Sequence, residues 1–275
     1  MMVERTQAAA AAGLDGLYLG DHHAVPIPYY QQGPMLGRLL AEWNDRPAGA
    51  LWLLPMWNPV LAAEQAGTLA AIAQGPFVVQ CGVGAGDTQF RARGASLRTR
   101  GRDLEQRLGV MTALLRGEAV DGVRISPVPG ADGFTVWIGA VAPAALDRAA
   151  RLGDAWYGAP ELEDERAGAL LADFRAACDR HGRSPRASPL RRDVYVAGDD
   201  NDAERVRSMV AEQGHRGFRP GVVVIGTVPE VAERFRSLAA LGFDEIVVRS
   251  LGVDQQAALA SIDRLADVRA AVSDL

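Results

Sequence analysis

His22 and His23 stand side by side after the apolar run Leu17-Tyr18-Leu19 and the turn residues Gly20-Asp21. Imidazole changes protonation near neutral pH, so a histidine at a strand end can contact a ligand or pass a proton. Adjacent side chains on extended chain point to opposite sides, so one of the two at most faces a site; the alternative is a structural role. A metal centre would need further His, Asp or Glu ligands at supporting spacing, and His181 and His215 do not supply it. No metal is expected.

Two other stretches could hold a ligand by their backbone. Gly82-Val83-Gly84-Ala85-Gly86-Asp87 follows an apolar run but lacks the GxGxxG spacing that opens directly into a helix. It reads either as a loop lying under a planar or phosphorylated ligand or as an ordinary turn. Gly139-Ala140-Val141-Ala142 leads into Pro143, a residue suited to the first helical turn. Free N–H groups and the helix dipole make such a junction a phosphate site, though a tight loop explains the residues as well. Trp156 and Tyr157 could wall the same pocket or pack in the core.

The elements that position these residues alternate. Short apolar runs at 14–19, 50–54, 77–81, 134–138, 155–157, 193–197 and 245–249 read as seven strands. Helical stretches separate them, among them Val60 to Ala73, Leu97 to Arg116 with one apolar face at Leu104, Leu108, Met111 and Leu115, and Val228 to Leu241. The chain opens on a helix, Val3 to Ala12. Residues 24–47 are irregular apart from a helical-looking Leu36 to Trp43 and read as a lid. Strand–helix repetition without consecutive strands means a parallel sheet, and strands ending in Gly, His, Asn or Asp put the working face at their C-terminal ends. The expectation is one (β/α)8 barrel domain over 1–275, with its first strand missing.

Composition narrows the chemistry. All 29 basic residues are arginine, against 34 acids, for a net charge of −5. Without lysine there is no Schiff base, no conventional pyridoxal phosphate chemistry and no GxxxxGK[ST] phosphate loop. The acidic balance argues against a nucleic-acid partner. Cys81 and Cys178 form no CxxC, and no apolar run suits a signal peptide or a membrane span. A cytoplasmic protein with no membrane partner is expected.

Five stretches in order resemble the bacterial luciferase-like monooxygenase superfamily. These are Gly13 to His23 ("aGfDgvwvgeHh"), Asn58 to Leu69 ("hPv.lAeq.atLd"), Cys81 to Gly86 ("lGvGtG"), Val136 to Gly139 with Ala149 to Trp156 ("vwiGg…aArlaDGw"), and Ile225 to Glu233 with Gly242 to Asp244. The resemblance implies a (β/α)8 barrel carrying reduced FMN or coenzyme F420 at its C-terminal face. It also implies a small organic substrate and a homodimer. On that reading His22 or His23 is the proton donor, Trp57 and Asn58 touch ring or substrate, Gly82 to Asp87 runs beneath the ring, and Gly139 to Ala142 holds the phosphate. The sequence departs from the pattern in lacking the first-strand "fgv..p" opening, the glycine between Ala155 and Trp156, and the second glycine of "iGg", where Ala140 stands. Two rivals remain on sequence grounds: a catalytically silent flavin-binding protein, and a non-redox barrel enzyme on a phosphorylated substrate.

Overall fold

The structure is a computed structural model that describes residues 1–251 and 253–273. Its chain divides into two compact units. One consists of residues 1–14, 140–151 and 155–275, the other of residues 15–139 and 152–154.

The chain opens on α1 (Met2–Ala11), which belongs to the first unit. The second unit then lays down β1 (Leu17–Leu19), α2 (Gln32–Leu39), β2 (Ala48–Trp52), α3 (Pro59–Ile72), β3 (Phe77–Cys81), α4 (Asp87–Ala92), α5 (Arg100–Leu115) and β4 (Phe134–Ile138). Its four strands pair in chain order and all in parallel, with Leu19 opposite Ala50, Ala50 opposite Val79 and Val79 opposite Val136. Strand alternation separates two faces. Ala48, Ala50, Trp52, Phe77, Val79 and Cys81 are sealed on one. The other carries Tyr18, Leu51 and Thr135, which are only partly buried. Because the strands are parallel, the segments that follow them all emerge at one edge of this sheet.

Helix signals in the sequence explain the connections. Asn58 caps α3, its Oδ1 accepting from Val60 N and Leu61 N, with Pro59 in the first turn. The inner side of α3 is small, Ala62, Ala63, Ala66 and Gly67, and a Cβ at Gly67 would collide with the Pro127 carbonyl. Helix α5 buries the expected face, Leu104, Leu108, Met111 and Leu115, but starts at Arg100 rather than Leu97.

The first unit continues with α6 (Pro143–Leu152), β5 (Ala155–Trp156), α7 (Asp164–Arg180), β6 (Pro189–Val196), α8 (Asp200–Gln213), β7 (Val224–Gly226), α9 (Val228–Ala240), β8 (Glu245–Ser250) and α10 (Gln255–Ala271). Strand β6 lies between β7 and β8, again in parallel. Parallel bridges at Ala155–Ala187 and Gly158–Leu190 tie the β5 region to the β6 region. Helix α1 is pinned to α10 by Gln255, which accepts from Arg5 and donates to Glu4 and to the Met1 carbonyl. Helix α9 begins in a capping box between Thr227 and Glu230.

The fold is the expected α/β class, parallel strands alternating with helices. The strand count is corrected from seven to eight by β7, three residues long and too short to stand out as an apolar run. It is not the missing first strand, since it pairs with Val194–Val196 between α8 and α9. Among the described residues no strand precedes Leu17, and β1 pairs with β2 while β8 pairs with β6. The stretch 24–47 also divides. Gln32–Leu39 is the helix joining β1 to β2, held by buried Leu36, Leu39, Leu40 and Trp43, so residues 20–31 remain as the irregular loop.

Candidate active site

The strand ends of the second unit converge on Asp21, whose side chain is shut off from solvent. A buried carboxylate is tolerated only with hydrogen-bond donors around it. Oδ2 accepts from Leu53 N at 2.8 Å and from Trp57 Nε1 at 2.7 Å, which ties the end of β1 to the turn after β2. Oδ1 lies 3.2 Å from Nε2 of His23. The two are not aligned for a hydrogen bond, and both atoms are buried without a hydrogen-bond partner. The His23 ring lies 5.5 Å from that of Trp57, inclined at 58°. Its backbone N–H donates to Gln89 Oε1, and Gln89 Nε2 donates to the Ala85 carbonyl. This arrangement can hold a proton between an imidazole nitrogen and a carboxylate oxygen, away from bulk water.

His22 points elsewhere, as alternation requires. It is half-buried, its ring set edge-on to Tyr29 at 5.7 Å, and its carbonyl accepts from Gln31. Of the pair, His23 joins the cluster.

Trp57 is nearly buried, with the Arg93 guanidinium 5.3 Å above its ring. Arg107 braces the same turn, donating to the carbonyls of Leu54, Pro55 and Trp57 at 3.2, 2.6 and 2.9 Å. Asn58 is exposed, and its carbonyl oxygen is committed to capping α3. Both residues expected to touch a ring therefore have structural partners.

The glycine loop after β3 runs against this turn. Gly84 has φ +72°, and a Cβ there would lie 2.9 Å from Met56 Cε; one at Gly82 would lie 3.3 Å from Leu53 Cδ2. The loop can approach closely only because these side chains are absent. Gly82, Val83 and Gly84 are partly buried, whereas Ala85, Gly86 and Asp87 are exposed, with Asp87 paired to Arg91. The expectation that no helix follows directly is corrected, because Gly86, at φ +85°, opens the six-residue α4. Beneath the loop, buried Gln80 leaves its Nε2 without a partner. Neighbouring Cys81 is buried, and burial alone pushes its thiol far up, which makes it inert.

Gly139 continues β4, its N–H donating to the Cys81 carbonyl. Within the first unit, Ala140 is buried while Val141 and Ala142 are exposed ahead of α6. Trp156 is fully buried against Phe243 and donates its indole N–H to the Ala140 carbonyl at 2.7 Å, so it fixes the loop from behind. Tyr157 is pushed up to about 12, chiefly by burial, with Glu245 and Asp193 adding to it and Arg191 opposing it.

Sequence reasoning named His23 and the glycine loop but missed Asp21, Gln89, Arg93 and Arg107. Asp21 carried a signal: on extended chain a residue two before His23 points to the same side. The other three are brought in by the fold from helical segments. Among the described residues no group of three or more His, Cys, Asp or Glu could hold a metal, and no helix is long and apolar enough to cross a membrane.

The comparisons agree with this architecture. The monooxygenase RslO1 from Streptomyces bottropensis superposes with a TM-score of 0.80 at 17% identity, covering 96% of this chain and 92% of that one. An F420-dependent secondary alcohol dehydrogenase in complex with an F420-acetone adduct gives 0.79 at 15%, covering 98% and 94%. The EDTA monooxygenase from Chelativorans sp. BNC1 gives 0.76 at 13%, covering 98% and 90%. At these identities the likeness carries the fold, the (β/α)8 class of luciferase-like type. No curated protein sequence matches the chain. The model of the luciferase-like monooxygenase family matches residues 1–220 of 275, and the chain belongs to that family.

Proposed function

We propose that this protein is an oxidoreductase that uses reduced FMN or coenzyme F420 on a small organic substrate. The observation that carries the reading is the buried Asp21–His23 pair, with Nε2 of His23 lacking a hydrogen-bond partner, at the sheet edge where the glycine loop emerges. The residues present fit a flat heteroaromatic group. Gly82 and Gly84 let the loop close onto Leu53 and Met56 with its backbone outward, and Gln80 Nε2 and His23 Nε2 are orphaned buried polar atoms suited to a ring with polar edges. When bound, such a group supplies hydride transfer or, with dioxygen, oxygenation.

The protein's own part is positioning and proton handling. His23 delivers a proton at Nε2, and Asp21 holds it in place through the turn it shares with Trp57. Gly82 to Asp87 underlies the ring. Gly139 to Ala142, fixed by Trp156, holds a phosphate; the Gly139 N–H is given to the Cys81 carbonyl, so the donors come from Ala140 to Ala142. The loop 20–31, with Ile27, Tyr29 and Tyr30 exposed, covers the site. The exposed Leu61 and Ile72 on α3 make that helix the surface for pairing with a second copy.

The test is uptake. The purified protein is incubated separately with FMN and with F420, passed through gel filtration, and its absorbance read. Retention of one is expected, and Gly139→Asp should weaken it by steric and charge conflict. Retention of neither overturns the proposal.

A further inference from the structure

Residues 88–102, the stretch that follows the glycine loop, carry five arginines and no acid, in a chain whose net charge is −5. Burial sorts this stretch into two sides. Phe90, 1% exposed, packs with Leu53 and Met56, and Ala95 and Leu97 rest on the same cluster. The stretch is therefore seated on the turn after β2, the turn whose Leu53 N–H and Trp57 indole are given to Asp21. Arg91, Arg93, Arg98, Arg100 and Arg102 stay exposed on its outer side.

Arginines elsewhere in the chain meet acids. In the first unit Arg191, Arg216 and Arg249, with His215, close on the buried Asp193, and Arg216 is held there at φ +54°. Along 88–102 the pairing is thin. Arg91 meets Asp87 at 3.2 Å and Arg102 meets Asp103 at 3.7 Å, with the two arginine side chains 73 and 77% exposed. Exposed pairs of this kind hold little. Arg93, Arg98 and Arg100 form no ion pair among the described residues.

Arg93 is nevertheless fixed in place. Its Nε donates to the Met56 carbonyl at 3.2 Å, and its guanidinium lies 5.3 Å from the centroid of the Trp57 ring. Stacking on an aromatic face orients the planar group. Both Nη groups are left without a hydrogen-bond partner among the described residues. Trp57 in turn donates to Asp21, and its ring lies 5.5 Å from that of His23. An uncommitted, preoriented fork thus stands one aromatic ring away from the imidazole. Arg107 adds a further positive charge to the same turn, its Nη1 bonded to the carbonyls of Leu54, Pro55 and Trp57.

We infer that Arg93, with Arg98 and Arg100 on the same stretch, recognises an anionic group on the substrate, a carboxylate or sulfonate, at the rim of the His23 site. Guanidinium forks bind such oxyanions through paired, charge-assisted bonds. A run of one sign at the mouth of a site also draws opposite charge from solution, an effect that salt weakens. The inference names a substrate class for the proposed oxidoreductase and rests on that reading for the identity of the ligand as substrate; the anion-binding rim itself does not.

The test uses the full chain and two dyes with the same rings, anilinonaphthalene sulfonate and uncharged phenylnaphthylamine, read by fluorescence titration across salt concentrations. The parent should prefer the sulfonate, and rising salt should erode the preference. Arg93→Gln should weaken sulfonate binding about tenfold, the scale of one charge-assisted bond, and leave the neutral dye unaffected. The double variant Arg98→Ser, Arg100→Ser removes two charges that have no ion-pair partner. It should slow sulfonate association and flatten its salt dependence with unchanged circular dichroism, and it decides if Arg93→Gln does not fold. Arg116→Gln, an exposed arginine at the far end of α5, should change neither dye. Dye binding that ignores charge, is equal in parent and folded variants, or responds equally to Arg116→Gln overturns the inference. So does an Arg93→Gln protein that loses FMN while keeping riboflavin, which would hand the fork to the cofactor phosphate. Failed uptake of FMN and F420 with Arg93-dependent sulfonate binding removes the oxidoreductase reading and leaves the rim standing.

Discussion

The indole N–H of Trp57 donates to Asp21 Oδ2 at 2.7 Å, and through that bond the end of β1 and the turn after β2 become one piece. The same oxygen takes the Leu53 N–H, so a single carboxylate satisfies two buried donors. The other oxygen is left to face His23.

Asp21→Ala should therefore cost on the order of 2–4 kcal/mol, because two buried N–H groups lose their acceptor. Asp21→Asn keeps an oxygen for both donors and should cost much less. Urea denaturation of the two variants checks this; equal losses would mean that the acceptor role has been misread.

The two histidines should separate sharply in function. His23→Ala is expected to lower turnover on the order of 10²-fold or more, the usual loss for a proton-transfer group. His22→Ala, which frees a ring resting on Tyr29, should stay within a few-fold. Steady-state kinetics with the retained cofactor distinguishes them, and small equal effects would remove His23 from the chemistry.

Gly84→Ala should affect both stability and binding. The position has φ +72°, and the new methyl meets Met56 Cε at 2.9 Å. A left-handed non-glycine residue costs about 1–2 kcal/mol, and Met56 must also move. A lower melting temperature with weakened cofactor retention is expected. A loss of stability with unchanged retention would show that the loop is not beneath the ring.

Alkaline stability should carry the signature of Tyr157. Its folded value lies at about 12, raised by burial above the ordinary tyrosine range. The folded state then holds its proton where the unfolded state has released it. Stability from this group is complete below about pH 10, the ordinary tyrosine value, and is lost as pH rises through the folded value. Tyr157→Phe should flatten that decline. Denaturant midpoints of parent and variant across pH 9 to 12 measure the difference, and parallel curves would contradict it.

The sequence by itself determined the alternation of parallel strands and helices, the opening of α6 at Pro143, the buried face of α5, and the placing of His22 and His23 at a strand end. These are local: a proline fits the first helical turn by its own fixed φ, amphipathic burial needs one helical period, and opposite side-chain directions follow from extended backbone. The short β7 escaped because three residues carry too little periodicity, and α2 begins at Gln32 rather than Leu36 because Gly33 and Pro34 mask its first turn.

Only the tertiary structure decided which histidine is buried beside a carboxylate, and that Trp57 and Asn58 are spent on Asp21 and on the cap of α3. It alone gathered Arg191, His215, Arg216 and Arg249, 58 positions apart at the extremes, onto Asp193. A charge cluster of that kind leaves no trace in spacing. Its members are brought together by the pairing of β6 with β8 and by the path of one strained loop, and both are properties of the folded chain.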